Sequence, residues 1–215
     1  MAVALHVVEH PVVADALARL RSVDTPNAAF RRELDRIGVV LLTSATKRLT
    51  TLDVMVQTPL TSTRGKRLDM PPLLVPVLRA GLGFLEGAQY LLPEADVGFV
   101  GIARDERTHQ PVPYSTKVPD ELLGRSCIVL DPMLATGGSL ALTCRLLVER
   151  GADPTITIVC ALAVPEGLSF LDRDSTEHGY EVAVYTAALD ERLDANAFIV
   201  PGLGDAGDRL FGRPD

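Results

Sequence analysis

The sequence predicts an α/β fold, in which a parallel, twisted β-sheet carries helices on both faces. From residue 73 onward, short runs of β-branched and apolar residues alternate with helical patterns, which is the order typical of a parallel sheet. The strand-like runs are apolar almost throughout, as in strands that are buried on both faces. Charged residues and glycine-rich turns directly follow several of these runs. Open α/β sheets bind their ligands at that edge, beyond the carboxyl ends of the strands.

The composition limits the class of protein. With 215 residues the chain can bury a sizeable core, and we expect a single domain over residues 1–215. Hydrophobic residues make up 47 %, but no apolar run approaches the ~20 residues of a membrane span. The amino terminus also lacks the basic start and cleavage pattern of a signal peptide. We therefore expect a cytoplasmic protein with no membrane partner.

The charge argues against a nucleic-acid partner. The formal net charge is -7, whereas binding to a phosphate backbone depends on clustered lysines and arginines. A small anionic ligand remains compatible with this balance, because a few local basic residues can hold it. Cys127, Cys144 and Cys160 show neither metal-finger nor CxxC spacing, so we expect reduced thiols in the core.

Residues 11–49 are predicted to form two amino-terminal helices. Thr25 and Pro26 match an N-cap followed by proline at the first helical position. Apolar residues then recur at spacings of three and four: Phe30, Leu34, Ile37, Leu41 and Ala45. Residues 52–70 alternate in polarity and then become glycine-containing and charged, which predicts an exposed β-arm.

The core, residues 73–190, begins with two strands that run into arginines. Leu73 to Leu78 are followed by Arg79 and a glycine-rich turn, and Val97 to Ala103 are followed by Arg104. The guanidinium group presents a fork of donors that suits phosphate oxygens. One such arginine would most simply be a surface residue, but two at successive strand ends favour an anion site.

Residues 104–120 are rich in charge and proline and show neither a helical nor a strand period. Long loops inside a domain commonly act as lids, and closure of a lid excludes water from a reaction. We therefore interpret this stretch as a lid.

The stretch from Cys127 to Ser139 carries the clearest chemical signal. A buried strand ends in Asp131, and ATGGS at residues 135–139 opens a helix, where small residues and helix amides can receive an anion. A Walker loop is excluded because Ser139, not lysine, follows Gly138, and the GxGxxG of a dinucleotide site is missing here. The remaining interpretation is a loop in which one acid can bind sugar hydroxyls and backbone amides can bind one phosphate.

The carboxyl-terminal segment, residues 191–215, contains a second glycine motif. After predicted strands at residues 155–164 and 181–189, GLGDAG at residues 202–207 satisfies GxGxxG, but too few residues follow for the rest of a dinucleotide unit. We interpret the string as a loop whose backbone donors and acceptors match the edge of a planar base. Asp205 supplies its single charge.

Taken together, the motifs resemble those of bacterial uracil phosphoribosyltransferases, which are type I phosphoribosyltransferases. The matching strings, in order, are VPVLRAGLG, GFVGIARDE, PVPY, VLDPMLATGGS and IVPGLGDAGDRLFG. ATGGS alone indicates a type I phosphoribosyltransferase, whereas the PGLGDAGD string points to uracil. The resemblance implies pyrimidine salvage, in which phosphoribosyl pyrophosphate (PRPP) and uracil give UMP and pyrophosphate. Mg²⁺ would be carried on the pyrophosphate, with no direct protein site.

The same resemblance implies roles for individual residues. Arg79 and Arg104 would hold the pyrophosphate, and Asp131 would bind the ribose hydroxyls. Arg104 and Asp205 are the candidate catalytic residues, with Asp205 beside PRPP and its metal. The PRPP-binding set continues through Pro132, Met133, Leu134, Ala135, Thr136, Gly137, Gly138 and Ser139, of which residues 133–139 would cradle the 5'-phosphate. Uracil would be contacted by Ile199, Gly204, Asp205 and Ala206.

The chain departs from the family pattern at four positions. Thr43 and Ser44 replace a usual Tyr-Glu pair, Phe84 replaces Met, and Phe198 replaces Tyr. None falls on the expected ligand contacts, so they concern the amino-terminal helix interface. The resemblance implies a homo-oligomer, and leaves open whether it is a dimer or a tetramer and whether GTP activates it.

Two alternatives remain open from the sequence. One is a phosphoribosyltransferase for another base, such as a purine. The other is a non-catalytic regulator that senses PRPP or UMP and binds RNA, which the acidic balance disfavours.

Overall fold

The structure is a computed structural model that describes residues 2–104 and 111–213, with only the backbone described at Arg104 and Pro111. The strands are β1 (Val3–Val7), β2 (Thr51–Gln57), β3 (Ser62–Leu68), β4 (Leu73–Leu78), β5 (Asp96–Val97), β6 (Phe99–Arg104), β7 (Pro111–Lys117), β8 (Cys127–Leu130), β9 (Met133–Leu134), β10 (Thr155–Ala163), β11 (Glu181–Leu189), β12 (Arg192–Leu193) and β13 (Ile199–Val200). The α-helices are α1 (Pro11–Arg21), α2 (Asn27–Ala45), α3 (Leu85–Leu91), α4 (Gly138–Glu149), α5 (Pro165–His178) and α6 (Ala206–Phe211). Short 3₁₀ turns lie at Thr46–Arg48 and Ala80–Phe84.

A mixed but mainly parallel sheet forms the centre of the fold. Its strand order is β1-β11-β10-β8-β4-β6-β7, with β5 beside β4 and β9 beside β10. In this sheet, as far as the described residues show, neighbouring strands are parallel except that β7 runs antiparallel to β6. The predicted parallel sheet is confirmed. Because β8 lies mid-sheet between β10 and β4, its carboxyl end opens at the middle of the sheet edge.

Helices cover both faces of the sheet, as predicted. One apolar core places α4 and α5 against the sheet through residues such as Leu140, Leu147 and Leu171. The other places α1, α2, α3 and α6 on the opposite face, around Phe30 and Leu34. These side chains have no exposed surface or almost none, so truncating such a leucine to alanine would cost about 2–5 kcal/mol.

The amino-terminal region differs from the prediction in two details. Strand β1, which was not predicted, pairs in parallel with β11 at the edge of the sheet. The predicted N-cap at Thr25 is wrong, since α2 begins at Asn27 with Pro26 as its capping residue. The Thr25 hydroxyl instead donates to the Arg19 carbonyl at 2.6 Å, which closes the end of α1.

The predicted β-arm is confirmed. Strands β2 and β3 form an antiparallel hairpin from the pair Thr51 and Leu68 to the pair Gln57 and Ser62. Most of its residues are exposed, including the apolar Leu52.

The prediction that residues 104–120 lack a strand is wrong. Strand β7 pairs antiparallel with β6 from Phe99 and Lys117 to Arg104 and Pro111. Prolines weakened the sequence signal, but an edge strand tolerates them because one side needs no ladder hydrogen bonds. Residues 105–110, at the centre of the predicted lid, lie outside the described residues.

The cysteines are free and buried, as predicted. Burial raises the pKa of the Cys127 and Cys160 thiols to about 12, so both stay protonated and act as small apolar side chains. In the described parts of the chain, none of the helices combines the length and the apolar character needed to cross a membrane.

Candidate active site

Asp131 lies at the carboxyl end of the central strand β8. Val159 of β10 pairs with Leu130, and the Val159 carbonyl accepts a hydrogen bond from the Asp131 amide at 3.1 Å. One carboxylate oxygen, Oδ1, accepts from the Met133 amide at 3.2 Å. The strand ladder and this local turn therefore hold the carboxylate at the sheet edge, where the sequence predicts it.

The surroundings of Asp131 change its acidity. Burial raises the pKa of the carboxyl from 3.8 to about 7, and the Met133 amide opposes this only in part. The carboxyl group is therefore only partly ionised near neutral pH. A ligand that donates hydrogen bonds to it would favour the ionised form.

The loop after Asp131, residues 133–139, which we call the phosphate loop, is tied to strand β10. The Pro132 carbonyl accepts from the amides of Ala161 and Leu162 at 2.9 and 3.1 Å, and the Leu134 carbonyl accepts from Val164 at 3.2 Å. The Pro132 and Leu134 side chains are buried, so neither side chain is available to a ligand.

Glycine is required where the phosphate loop meets helix α4. Gly137 has φ +83°, in the left-handed region, and is the capping residue of α4. No side chain in the described residues caps this helix, which leaves its first amides available to an anion. A Cβ on Gly137 would lie 2.8 Å from the Gly167 carbonyl oxygen, and one on Gly167 would lie 2.3 Å from that of Ala135. The loop therefore packs directly on the start of α5.

Arg79 follows strand β4, and its turn packs against the end of β8. A Cβ on Gly81 would lie 2.2 Å from the Leu130 carbonyl oxygen, so this turn approaches the residue before Asp131. The Arg79 guanidinium extends to the carboxyl-terminal segment, where its Nη2 atom lies 3.8 Å from the Cβ position of Gly207. The Arg79 side chain thus connects the end of β4 with the carboxyl-terminal segment.

Arg104 is the last residue of β6. In the ladder Gly101 pairs with Leu78, so the backbone of Arg104 also lies toward the carboxyl edge of the sheet. Its guanidinium group lies outside the described residues.

The carboxyl-terminal glycine string is only partly a loop. Residues 201–205, which we call the tail loop, connect β13 to α6. The interpretation of the whole string as a loop is wrong, because α6 begins at Ala206. Asp205 caps this helix, and its Oδ1 accepts from the Asp208 amide at 2.8 Å. That carboxylate therefore has a structural role besides any chemical one.

The two glycine motifs line one cavity of about 400 Å³. One wall comes from Asp131 and the phosphate loop, and the other from the segment that includes the tail loop. The lining residues are Asp131, Met133, Ala135, Ser139, Asn196, Ala197, Phe198, Ile199, Gly204, Asp205 and Ala206. A sugar phosphate bound by the first wall would therefore share one cavity with a second ligand bound by the other wall.

Comparison with known proteins identifies the family. The family model described as uracil phosphoribosyltransferase matches residues 7–213. A uracil phosphoribosyltransferase of Streptomyces avermitilis is 51 % identical, covering 98 % of this chain and 99 % of that protein. One of Kocuria rhizophila is 50 % identical, covering 97 % and 98 %. The chain belongs to the uracil phosphoribosyltransferase family.

A solved structure supports the same fold. A protein from Aquifex aeolicus superposes with a TM-score of 0.90 at 36 % identity, covering 97 % of this chain and 98 % of that chain. The resemblance stated from the motifs is thus confirmed at the level of the uracil phosphoribosyltransferase family.

Some cavity residues of this uracil phosphoribosyltransferase family member were not predicted. Asn196, Ala197 and Phe198 lie in the turn between β12 and β13, where Asp194 Oδ1 accepts from the amides of Asn196 and Phe198, each at 2.8 Å. Phe198, which is not among the predicted ligand contacts, is exposed and lines this cavity. In the sequence, the Asp-Ala-Asn string at residues 194–196 was the signal that could have predicted this turn.

A larger cavity of about 570 Å³ lies beside the same tail loop. Arg21, Leu203 and Arg209 line it, but of the cavity residues above it shares only Gly204 and Asp205. It contains neither Asp131 nor the phosphate loop. For the chemistry of a uracil phosphoribosyltransferase, the smaller cavity is therefore the candidate active site.

Proposed function

We propose that this chain transfers the 5-phosphoribosyl group of PRPP to uracil, giving UMP and pyrophosphate, as a step of pyrimidine salvage. One observation carries the proposal: Asp131, the phosphate loop and the tail loop all line a single cavity, in a chain of the uracil phosphoribosyltransferase family. The cavity has room for a sugar phosphate on one wall and a planar base on the other.

The PRPP side of the site is assigned to the strand ends. The ionised Asp131 would accept hydrogen bonds from the ribose hydroxyls, and the backbone of residues 133–139 would receive the 5'-phosphate at the start of α4. Arg79 and Arg104 would bind the pyrophosphate through their guanidinium groups. The position of Arg79, next to Gly207 and the tail loop, supports this assignment.

The uracil side is assigned to backbone groups. Ile199, Gly204 and Ala206 line the same cavity as Asp131, and their amides and carbonyls can match the alternating donors and acceptors of the uracil edge. A site built on backbone hydrogen bonds discriminates strongly between bases, because a wrong base leaves its polar groups unpaired.

The reaction follows from these positions. Uracil N1 forms a bond to the ribose anomeric carbon as the bond from that carbon to pyrophosphate breaks, and the N1 proton passes to a base, for which Asp205 is the candidate in this cavity. Positive charge develops on the sugar and negative charge on the departing pyrophosphate, which Arg79 and Arg104 would stabilise. Holding both reactants in one cavity removes an entropic barrier of up to ~7–11 kcal/mol in well-aligned systems.

Magnesium fits this site as a cation that arrives with PRPP. In the described part of the chain, no three His, Cys, Asp or Glu side chains form a metal cluster. The cavity does present two carboxylates, Asp131 and Asp205, and Mg²⁺ is commonly held by one or two carboxylates together with substrate phosphates. When bound, it would neutralise charge on the pyrophosphate.

Asp205 has two candidate roles, as acceptor of the uracil proton or as a group near the metal. The Asp205→Asn variant separates them. Loss of kcat at every Mg²⁺ concentration would indicate proton transfer, whereas rescue by added Mg²⁺ would indicate metal binding.

The test of the function is a coupled assay for UMP formation from labelled PRPP, with and without Mg²⁺. We expect turnover with uracil that depends on Mg²⁺. A panel with hypoxanthine and guanine tests the alternative substrate class, and faster turnover of either purine would overturn the choice of uracil. RNA binding at low salt without UMP formation would favour the regulator instead.

We also propose that the protein is a homo-oligomer. The hairpin of β2 and β3 exposes Leu52, Met55 and Leu60, which supports a role for the arm in contacting another copy. Light scattering of the protein and of a Met55→Lys, Leu60→Lys variant would test this. A monomeric wild-type protein would refute the proposed oligomer. Whether GTP activates the enzyme is tested separately, by the same UMP assay with added GTP.

A further inference from the structure

An ion pair between Arg21 and Asp190 lies beneath the tail loop. Arg21 is the last residue of α1, and Asp190 follows β11. Two contacts join the groups, from Nη2 to Oδ1 at 2.5 Å and from Nη1 to Oδ2 at 2.8 Å. The Asp190 side chain is 4 % exposed and that of Arg21 is 25 % exposed. The carboxylate is thus buried and depends on its partners.

This pair holds both polar groups of one tail-loop residue. The Gly202 amide donates to Asp190 Oδ2 at 2.9 Å, and the Gly202 carbonyl accepts from Arg21 Nη1 at 2.8 Å. The backbone of Gly202 is therefore held on both sides by charge-assisted hydrogen bonds, which are stronger than neutral ones.

Gly202 in turn controls the neighbouring backbone. It has φ +63°, and a Cβ at this position would lie 2.0 Å from the Ile199 carbonyl oxygen. The turn from Ile199 to Gly202 is consequently tight, and Gly204 follows two residues later. Both Ile199 and Gly204 line the candidate site. A displacement of Gly202 would therefore move groups that face the base.

The same pair is tied to the strand that holds the phosphate loop. The Asp190 amide donates to the Ala163 carbonyl of β10 at 2.8 Å. Strand β10 also binds the Pro132 carbonyl through Ala161 and Leu162. Both walls of the cavity thus take their position from β10, one through the phosphate loop and the other through Asp190 and Gly202.

We propose that Arg21 and Asp190 are positioning residues for uracil, which set the backbone of the tail loop without touching the substrate. The inference rests on the proposed function, because it needs the tail loop to bind the base. It assigns them no part in PRPP binding, since both of their contacts with the site region go to the backbone of Gly202 in the tail loop.

The experiment compares Asp190→Asn and Arg21→Lys with the wild type in steady-state assays. We expect the KM for uracil to rise roughly tenfold or more, with the KM for PRPP within about twofold of the wild-type value. Arg21→Lys keeps the charge but loses the guanidinium fork, so we expect a smaller rise than in Arg21→Ala. Arg21 lies at the end of α1 and is partly exposed, so Arg21→Lys is the variant to use if Asp190→Asn does not fold.

The ion pair of Arg145 and Asp174 provides a matched control. It joins α4 to α5 on the other face of the sheet at 2.5 Å, with side-chain exposures of 28 % and 8 %. We expect Asp174→Asn to lower the melting temperature without raising the KM for uracil. The inference would be overturned if the Asp190 and Arg21 variants raised both KM values equally, or if they lost only stability as the control does. A wild-type protein that made no UMP would instead refute the proposed function.

Discussion

Replacing Asp131 by asparagine should change how the stability of the protein depends on pH. Burial raises the pKa of this carboxyl from 3.8 to about 7. Between these two values the folded state binds a proton that the unfolded state has released. The free energy of unfolding of the wild type therefore falls as pH rises through this window, and the loss is complete above about pH 7. The variant has no such group.

The size of the effect follows from the same two values. Their difference corresponds to at most ~4 kcal/mol at alkaline pH. Because Asp131 lines a cavity that water can enter, screening reduces this, and we expect about 2 kcal/mol. Relative to the wild type, Asp131→Asn should thus gain about 2 kcal/mol between pH values near 4 and near 8.

The assay is urea unfolding of both proteins at a series of pH values and one fixed protein concentration. The measured quantity is the difference in free energy of unfolding between variant and wild type at each pH. Asp24→Asn, which removes an exposed carboxylate, controls for the loss of one charge. A difference for Asp131→Asn that does not vary with pH would refute the burial argument.

Three further predictions concern catalysis and packing. Arg104→Ala should lower kcat about 100-fold or more, because its partner charge grows in the transition state, and an unchanged kcat in steady-state assays would remove it from the mechanism. In urea unfolding, Gly137→Ala should lose about 1 kcal/mol more stability than Gly179→Ala. Both glycines have positive φ, but of the two only Gly137 faces a carbonyl oxygen, that of Gly167. Gly137→Ala should also raise the KM for PRPP. Equal losses and an unaltered KM would contradict the tight packing of the phosphate loop. Phe198→Ala should raise the KM for uracil about fivefold, or ~1 kcal/mol, with little change for PRPP, and the reverse pattern would place PRPP on that wall.

Local patterns predicted the part of the site that lies directly after buried strands. Asp131 and Arg79 each follow a continuous apolar run, and in a parallel sheet the ends of such runs meet at one edge. No contact between distant segments had to be known to place them there. The phosphate loop was predicted for the same reason, since its small residues lie between a recognisable strand and a recognisable helix.

Elements that depend on a partner segment were not predicted. Strand β7 contains prolines, and β1 is short and lies at an edge, so neither has a strong pattern of its own. Each forms because a neighbouring strand offers hydrogen bonds. The Thr25 hydroxyl was likewise predicted to cap the start of α2, but it donates to the Arg19 carbonyl at the end of α1.

The residues that shape the base side of the cavity illustrate this limit best. Arg21 and Asp190 are 169 positions apart, and in the sequence each is an ordinary charged residue at the end of an element. Only the fold brings them together under Gly202, where burial makes each charge depend on the other. A glycine motif can therefore indicate that a backbone loop meets a ligand, but its geometry is set by charges elsewhere in the chain. If the uracil affinity of this family member follows the Arg21 and Asp190 variants, discrimination between bases depends on this buried pair as well as on the motif.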